Sequence, residues 1–168
     1  HFDFELFKKH VALAQRIMDD IIDLEIEKID AILAKIASDP EDEAVKRCER
    51  EVWEKIREKS QKGRRTGIGI TAEGDMLAAM NLRYGSEEAC EFAEKVHQNL
   101  AVAAYLSSAQ LAEERGAFPV YNAEKEKNNP FLNRLFEASP ELREAVAKKG
   151  RRNIACLTIA PTGTTSLM

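Results

Sequence analysis

The stretch KGRRTGIGIT, residues 62–71, is echoed at residues 149–164 by KGRRNIACLTIAPTGT, and each copy follows text of helical period. In both, a Gly suited to closing a helix precedes two Arg and then an apolar run. Ile68 and Ile70 alternate as in a short strand, and Asn153 to Ile159 is a mixed apolar run of strand character. Gly63, Gly67, Gly69 and Gly74 are too dense for a helix. A strand, a long helical excursion and a second strand fit an α/β barrel better than a closed helical bundle. Arg64, Arg65, Arg151 and Arg152 have two readings. They are solvated charges facing the negative end of a helix dipole, or they open corresponding strands in two similar halves of a larger architecture.

Upstream, apolar residues recur at Phe4, Phe7, Val11, Ala14, Met18, Ile22, Ile26, Ile29, Leu33 and Ile36, which predicts one long amphipathic helix broken near SDPED. Pro40 can open a second helix, capped by Asp39, that runs through Val52 and Ile56 to about Lys59. After the Gly-rich segment, helix is expected from about Gly74 to Leu82. It resumes from the cap Ser86 to about Arg115, where Gly116 ends it. GAFPVYNAEKEKNNPF reads as a structured loop, followed by short helices over Pro130–Phe136 and Pro140–Lys148. The chain is thus expected to be mainly α with two short strands. It reads as a single unit, 1–168, with a helical pair (1–61), a strand plus helices (62–116), and a loop, short helices, strand and terminal loop (117–168).

With 168 residues, 44% apolar and 32% charged, the chain suits one helix-rich globular domain. A net charge of −4, with bases interleaved among acids, argues against an extended nucleic-acid surface. No apolar stretch approaches the roughly 18–20 residues that span a bilayer, and no signal peptide opens the chain, so a cytoplasmic protein without membrane contact is expected. Cys48, Cys90 and Cys156 lie outside any CxxC pattern and read as reduced, buried thiols. His1, His10 and His97 have no ligand-spaced partner, so no metal is expected. Asp19, Asp20, Asp23, Glu25 and Glu27 read as a solvated helix face, and Asp75 as a helix cap. No nucleophile and base can be paired from spacing, so no catalytic residue is assigned.

The closing APTGTTS is the one stretch with binding chemistry. Pro161 follows the second apolar run, Gly163 permits close approach, and Thr162, Thr164, Thr165 and Ser166 supply hydroxyls. Such a loop is either an ordinary turn or, where it opens a helix, a cradle for an anion such as phosphate. It has no Lys where a GxxxxGK[ST] loop requires one.

Three blocks, GRRTGIGITAEGDMLAAMNLRYGSEEA, GAFPVYNAEKEKNNPFLNRL and GRRNIACLTIAPTGTTSLM, stand in the order and spacing found in the large catalytic chain of ribonucleotide reductases. The chain resembles that family over nearly its whole length, most closely the adenosylcobalamin (vitamin B12)-dependent class. The resemblance implies a segment of the family's ten-stranded α/β barrel, which reduces ribonucleotides to deoxyribonucleotides by thiyl-radical chemistry. It gives Thr162, Gly163, Thr164, Thr165 and Ser166 the role of holding the substrate's phosphates. It further implies adenosylcobalamin as cofactor of the full enzyme, a ribonucleoside di- or triphosphate substrate, a thioredoxin-type reductant and a homo-oligomer. The family's N-x-C-x-E radical motif is absent, and the cofactor contacts lie elsewhere. The chain, which begins at His1 and ends at Met168, is therefore expected to be a piece of a longer protein, inactive alone. A non-catalytic helical interaction module derived from the same barrel is the alternative. A cut barrel should also leave Ile68, Ile70, Leu157 and Ile159 exposed or used in self-association.

Overall fold

Asp3 sets the first boundary: its carboxylate accepts from the Leu6 N–H at 2.9 Å, and α1 then runs Phe4–Ser38. The helix ends at Asp39, whose N–H bonds to Lys35 and Ile36 carbonyls, just before Pro40. The structure, a computed structural model, describes residues 1–165 and 167. Asp42, not Asp39, caps α2 (Glu43–Gly63), accepting from Ala44 N–H at 2.8 Å. Next come α3 (Glu73–Ala79) and α4 (Glu87–Arg115); Ser86 caps α4, and Gly116 ends it at φ +87°.

A short α5 (Ala123–Glu126) lies within the expected loop. Asn129 caps α6 (Pro130–Ala138), and Ser139 both closes α6 and caps α7 (Pro140–Lys149), each helix having Pro at its first position. One last turn, α8, spans Thr162–Thr165.

The core forms where α4 meets α1 on one side and α6 and α7 on the other. Ala101, Ala104, Ser108 and Ala112 give α4 a low profile that lets neighbours approach, and Val11, Leu100, Leu132, Leu142 and Cys156 fill the space between. Full burial of a Leu contributes about 1.5–3 kcal/mol. The buried line of α1 reads Val11, Gln15, Asp19, Ile22, Ile29 and Ile36, so two polar side chains interrupt an otherwise apolar seam.

The two echoed segments lie side by side and parallel, but the expectation of two short strands in a barrel segment is corrected. Among the described residues the chain is helical, with no strand and no barrel; the segments share only an isolated parallel bridge, Ile68 with Leu157. Register explains this. Thr66 N–H donates to Ala155 O (3.0 Å) and Ile68 N–H to Cys156 O (2.8 Å), so one segment advances two residues while the other advances one. The slip falls at Gly67 and breaks the ladder, as a bulge does. The backbones nevertheless approach closely at the second glycine, since a Cβ on Gly69 would stand 2.7 Å from the Thr158 carbonyl oxygen.

The expected apolar exposure is also corrected. Ile68 is buried, Ile70 and Leu157 pack partly buried against the core, and Ile159 alone of the four is open, at 91%. Exposed apolar side chains lie instead along α1 (Leu6, Leu13, Ile17, Ile21, Leu24) and α2 (Val45, Val52, Ile56). No described helix is long and apolar enough to cross a membrane.

The close approach gives a paired prediction. Gly69→Ala should destabilise the chain by about 1–3 kcal/mol through overpacking against Thr158. Gly74→Ala, in α3 with nothing within 4 Å, should be neutral or stabilising by up to about 1 kcal/mol. Urea denaturation of the two variants checks both signs.

Candidate functional site

The two echoed segments, the second of which leads to the terminal loop, are joined by a buried polar cluster that starts with Asp19. Spacing from Val11 and Gln15 places Asp19 on the buried face of α1, where it is fully enclosed. Its Oδ1 accepts from Arg64 Nε and Asn153 Nδ2, both at 2.9 Å; its Oδ2 accepts from Arg115 Nη1 at 3.0 Å and Arg152 Nε at 3.3 Å. Asn153 extends the cluster: its Oδ1 accepts from Gln15 Nε2 and Ser108 Oγ, both at 2.9 Å, and its Nδ2 also donates to the Arg64 carbonyl at 3.0 Å. Thr66 Oγ1 bonds to Gln15 and to the Ala155 carbonyl. Among the described residues no buried side-chain nitrogen or oxygen lacks a partner.

Arg151 occupies a second slot. Its guanidinium pairs with Glu126, donates to the Asn153 and Ile154 carbonyls at 2.7 and 3.2 Å, and lies over the Tyr105 and Phe118 rings at 5.3 and 5.5 Å. The readings of Asp19 as a solvated acid and of the Arg pairs as solvated caps are therefore corrected for Asp19, Arg64, Arg151 and Arg152; only Arg65 is exposed. Burial pushes the Asp19 carboxyl up, but hydrogen bonds and charge from Arg64, with Asn153 and Arg152, outweigh it and hold the pKa below the ordinary carboxylate value.

This cluster clamps both extended segments at their amino ends. Because the segments are parallel, their carboxyl ends, Ile70–Thr71 and Ile159–Ala160, lie at one common end. There the chain turns at Pro161. Thr164 and Thr165 N–H groups both donate to the Pro161 carbonyl at 3.1 Å, and Thr165 Oγ1 donates to the same oxygen at 3.2 Å. Thr162, Gly163 and Thr164 are exposed, Thr165 is half-buried, and Ser166 lies outside the described residues. A Cβ on Gly163 would meet nothing within 4 Å.

The remaining reactive side chains are separate from the loop's bonding. Cys156 is buried and its thiol is pushed up to about 12, mainly by that burial, which keeps it protonated at neutral pH. Cys48 and Cys90 are exposed on α2 and α4, contrary to the expectation of buried thiols. His97 has Glu73 3.3 Å away, which spacing alone did not reveal. Asp75 sits exposed in the first turn of α3 instead of capping it. Among the described residues no group of three or more His, Cys, Asp or Glu side chains could hold a metal ion.

Comparison with known proteins gives one consistent result. The family model described as ribonucleotide reductase, barrel domain, matches residues 1–168. The vitamin B12-dependent ribonucleoside-diphosphate reductase of Mycobacterium tuberculosis (strain CDC 1551 / Oshkosh) is 28% identical over 166 residues, covering 99% of this chain and 18% of the relative. The protein of the same description from Thermoplasma acidophilum is 29% identical over 167 residues, 99% of this chain and 16% of its own length. The ribonucleoside-diphosphate reductase subunit alpha of Chlamydia pneumoniae is 27% identical over 183 residues, 98% of this chain and 15% of that protein. The chain thus spans less than a fifth of the length of these relatives.

Removing the Asp19 carboxylate strands buried guanidinium groups, so Asp19→Ala should cost about 3–5 kcal/mol in chemical denaturation. The pH dependence has a defined sign. With a depressed folded-state pKa, the carboxylate's contribution is complete above the unfolded value of about 3.9 and is lost as pH falls through the lower folded value. Wild-type stability should therefore fall more steeply below about pH 4 than that of Asp19→Asn.

Proposed function

Because the chain belongs to the ribonucleotide reductase barrel-domain family, we propose that it is a segment of the catalytic domain of a ribonucleotide reductase and that its terminal loop holds the phosphates of the substrate. The observation that carries the reading is the exposed Pro161–Thr165 turn at the carboxyl end of a parallel pair. Thr162, Gly163, Thr164, Thr165 and Ser166 surround the phosphates with hydroxyls and backbone, and Gly163 admits close approach; the Thr164 and Thr165 N–H groups, which donate to the Pro161 carbonyl in this structure, would turn from it to reach the ligand. Hydrogen bonds to a charged partner contribute about 1.5–3 kcal/mol each. The loop thus binds and orients the nucleotide, while the redox chemistry belongs to residues elsewhere in the longer enzyme.

The full enzyme reduces a ribonucleoside di- or triphosphate by thiyl-radical chemistry, with electrons from a thioredoxin-type dithiol. It works in the cytoplasm as part of deoxyribonucleotide synthesis for DNA replication. The names of the mycobacterial and Thermoplasma relatives support adenosylcobalamin as its cofactor, which would supply the radical. The described residues do not fit that group. A groove between α1, α4 and the α6–α7 corner and another between α5, α6 and α7 are both lined without a His or Cys, and Cys156 is buried away from both. The exposed apolar lines of α1 and α2 favour contact with further polypeptide, and we assign them to homo-oligomerisation. They also support the second reading, a helical interaction module.

Three measurements test this reading. In the full-length enzyme, Thr164→Val should lower kcat/KM roughly tenfold, mainly through KM, as loss of one such bond requires; unchanged KM would remove the loop from substrate binding. The 168-residue chain alone should turn over no ribonucleotide in the presence of adenosylcobalamin and a dithiol. In sedimentation the chain should self-associate, and Leu13→Glu with Leu24→Glu should return it to a monomer; a wild-type monomer at high concentration would rule out the assigned surface.

A further inference from the structure

Between α5, α6 and α7 the surface folds into a groove of about 580 Å³ that shares no lining residue with the terminal loop. That volume suits a small organic ligand. The floor is apolar: Leu132 and Val146 are buried and Phe136 is half-buried. One wall is the Tyr121 ring, pressed so close to Gly150 that a Cβ there would stand 2.5 Å from Tyr121 Cε1. With φ at +76° as well, position 150 excludes a side chain that would otherwise fill this end of the groove.

The groove is lined by four cations and one acid, Glu126. Lys127, Arg143, Lys148 and Lys149 are all exposed on it. Of the acids nearby, Glu126 is engaged by Arg151, and Glu124 stands 4.0 Å from Lys127 in an exposed pair. Among the described residues no acid pairs with Arg143, Lys148 or Lys149. Lys148 and Lys149 also complement the negative end of α7, and Arg143, in the first turn of α7, faces the carboxyl end of α6. Its Nη2 donates to the Phe136 carbonyl at 3.2 Å, which tethers the guanidinium beside the aromatic wall.

We propose that this groove is a second binding site, distinct from the phosphate loop, for a small aromatic anion whose ring lies against Phe136 and Tyr121 and whose phosphate or carboxylate meets Arg143, Lys148 and Lys127. Neither half of the groove suffices alone. Exposed cations hold a bare anion weakly because water and salt screen them, and the apolar floor does not orient a neutral ring.

The test is a titration of the 168-residue chain with 1-naphthyl phosphate, followed by calorimetry and by amide chemical shifts, with inorganic phosphate and 1-naphthol as separate probes. The aryl phosphate should bind at least tenfold more tightly than either probe and should shift the amides of Phe136, Tyr121 and Gly150. Arg143→Glu should weaken it about fivefold or more, as should Lys148→Glu; both side chains are exposed, and circular dichroism checks that the variants remain folded. Equal binding of inorganic phosphate, shifts confined to residues outside the groove, or unchanged affinity in both folded variants would overturn the proposal. So would saturation by an acidic peptide without any binding of the aryl phosphate.

Discussion

A carboxylate with no access to water organises this chain. Asp19 accepts from four donors on three different stretches of polypeptide: Arg64 after α2, Arg115 at the end of α4, and Arg152 and Asn153 after α7, while its own backbone belongs to α1. Buried ion pairs add little net stability over a well-packed apolar cluster of the same volume. What they impose is geometry, because each donor must arrive within hydrogen-bonding distance from a fixed direction. The apolar contacts between α1 and α4 tolerate a shift of some tenths of an ångström; the four donors around Asp19 do not. The start of the second extended segment, at Arg152 and Asn153, takes its position from that fixed point.

The echo between KGRRTGIGIT and KGRRNIACLTIAPTGT takes on physical meaning in this light. In each copy the first Arg after the Gly is buried and turned back into the protein, Arg64 onto Asp19 and Arg151 onto Glu126. The helix ends differ in detail. Gly150 takes the positive φ itself, whereas in the first copy Arg64 adopts φ 45°, ψ 51°, a conformation that costs a side-chain residue roughly 1–2 kcal/mol. The hydrogen bonds made by the Arg64 guanidinium and carbonyl offset that strain.

Much of the helical architecture was legible in the sequence. The period from Phe4 to Ile36, the cap at Ser86 and the stop at Gly116 read directly, since they depend on local chemistry. The strands did not survive, because alternation at Ile68 and Ile70 reports an extended backbone but says nothing of the one-residue slip at Gly67 that breaks the ladder. Burial of Asp19, Arg64 and Arg151 was hidden for another reason: charge predicts exposure, and ion-pair partners distant in sequence, 45 residues apart for Asp19 and Arg64 and 25 for Arg151 and Glu126, cancel that expectation. The helical spacing of Asp19 from Val11 and Gln15 was the available signal. The stretch APTGTTS stands out in the sequence, but its residue types alone leave an ordinary turn and an anion cradle both open.

The corner at Ser139 and the stop at Gly150 give α7 a fixed length of ten residues. At about 3.6 residues per turn, each inserted or deleted residue would swing the exit of the helix by about 100°. Arg151 would then leave the slot between Tyr105 and Phe118, and the chain beyond it would start toward the loop from the wrong side of the protein. The stretch between α1 and α2 makes no such demand. Changes in length should therefore accumulate around Pro40 and be purged from α7, a ruler whose count of residues matters more than most of its exposed side chains.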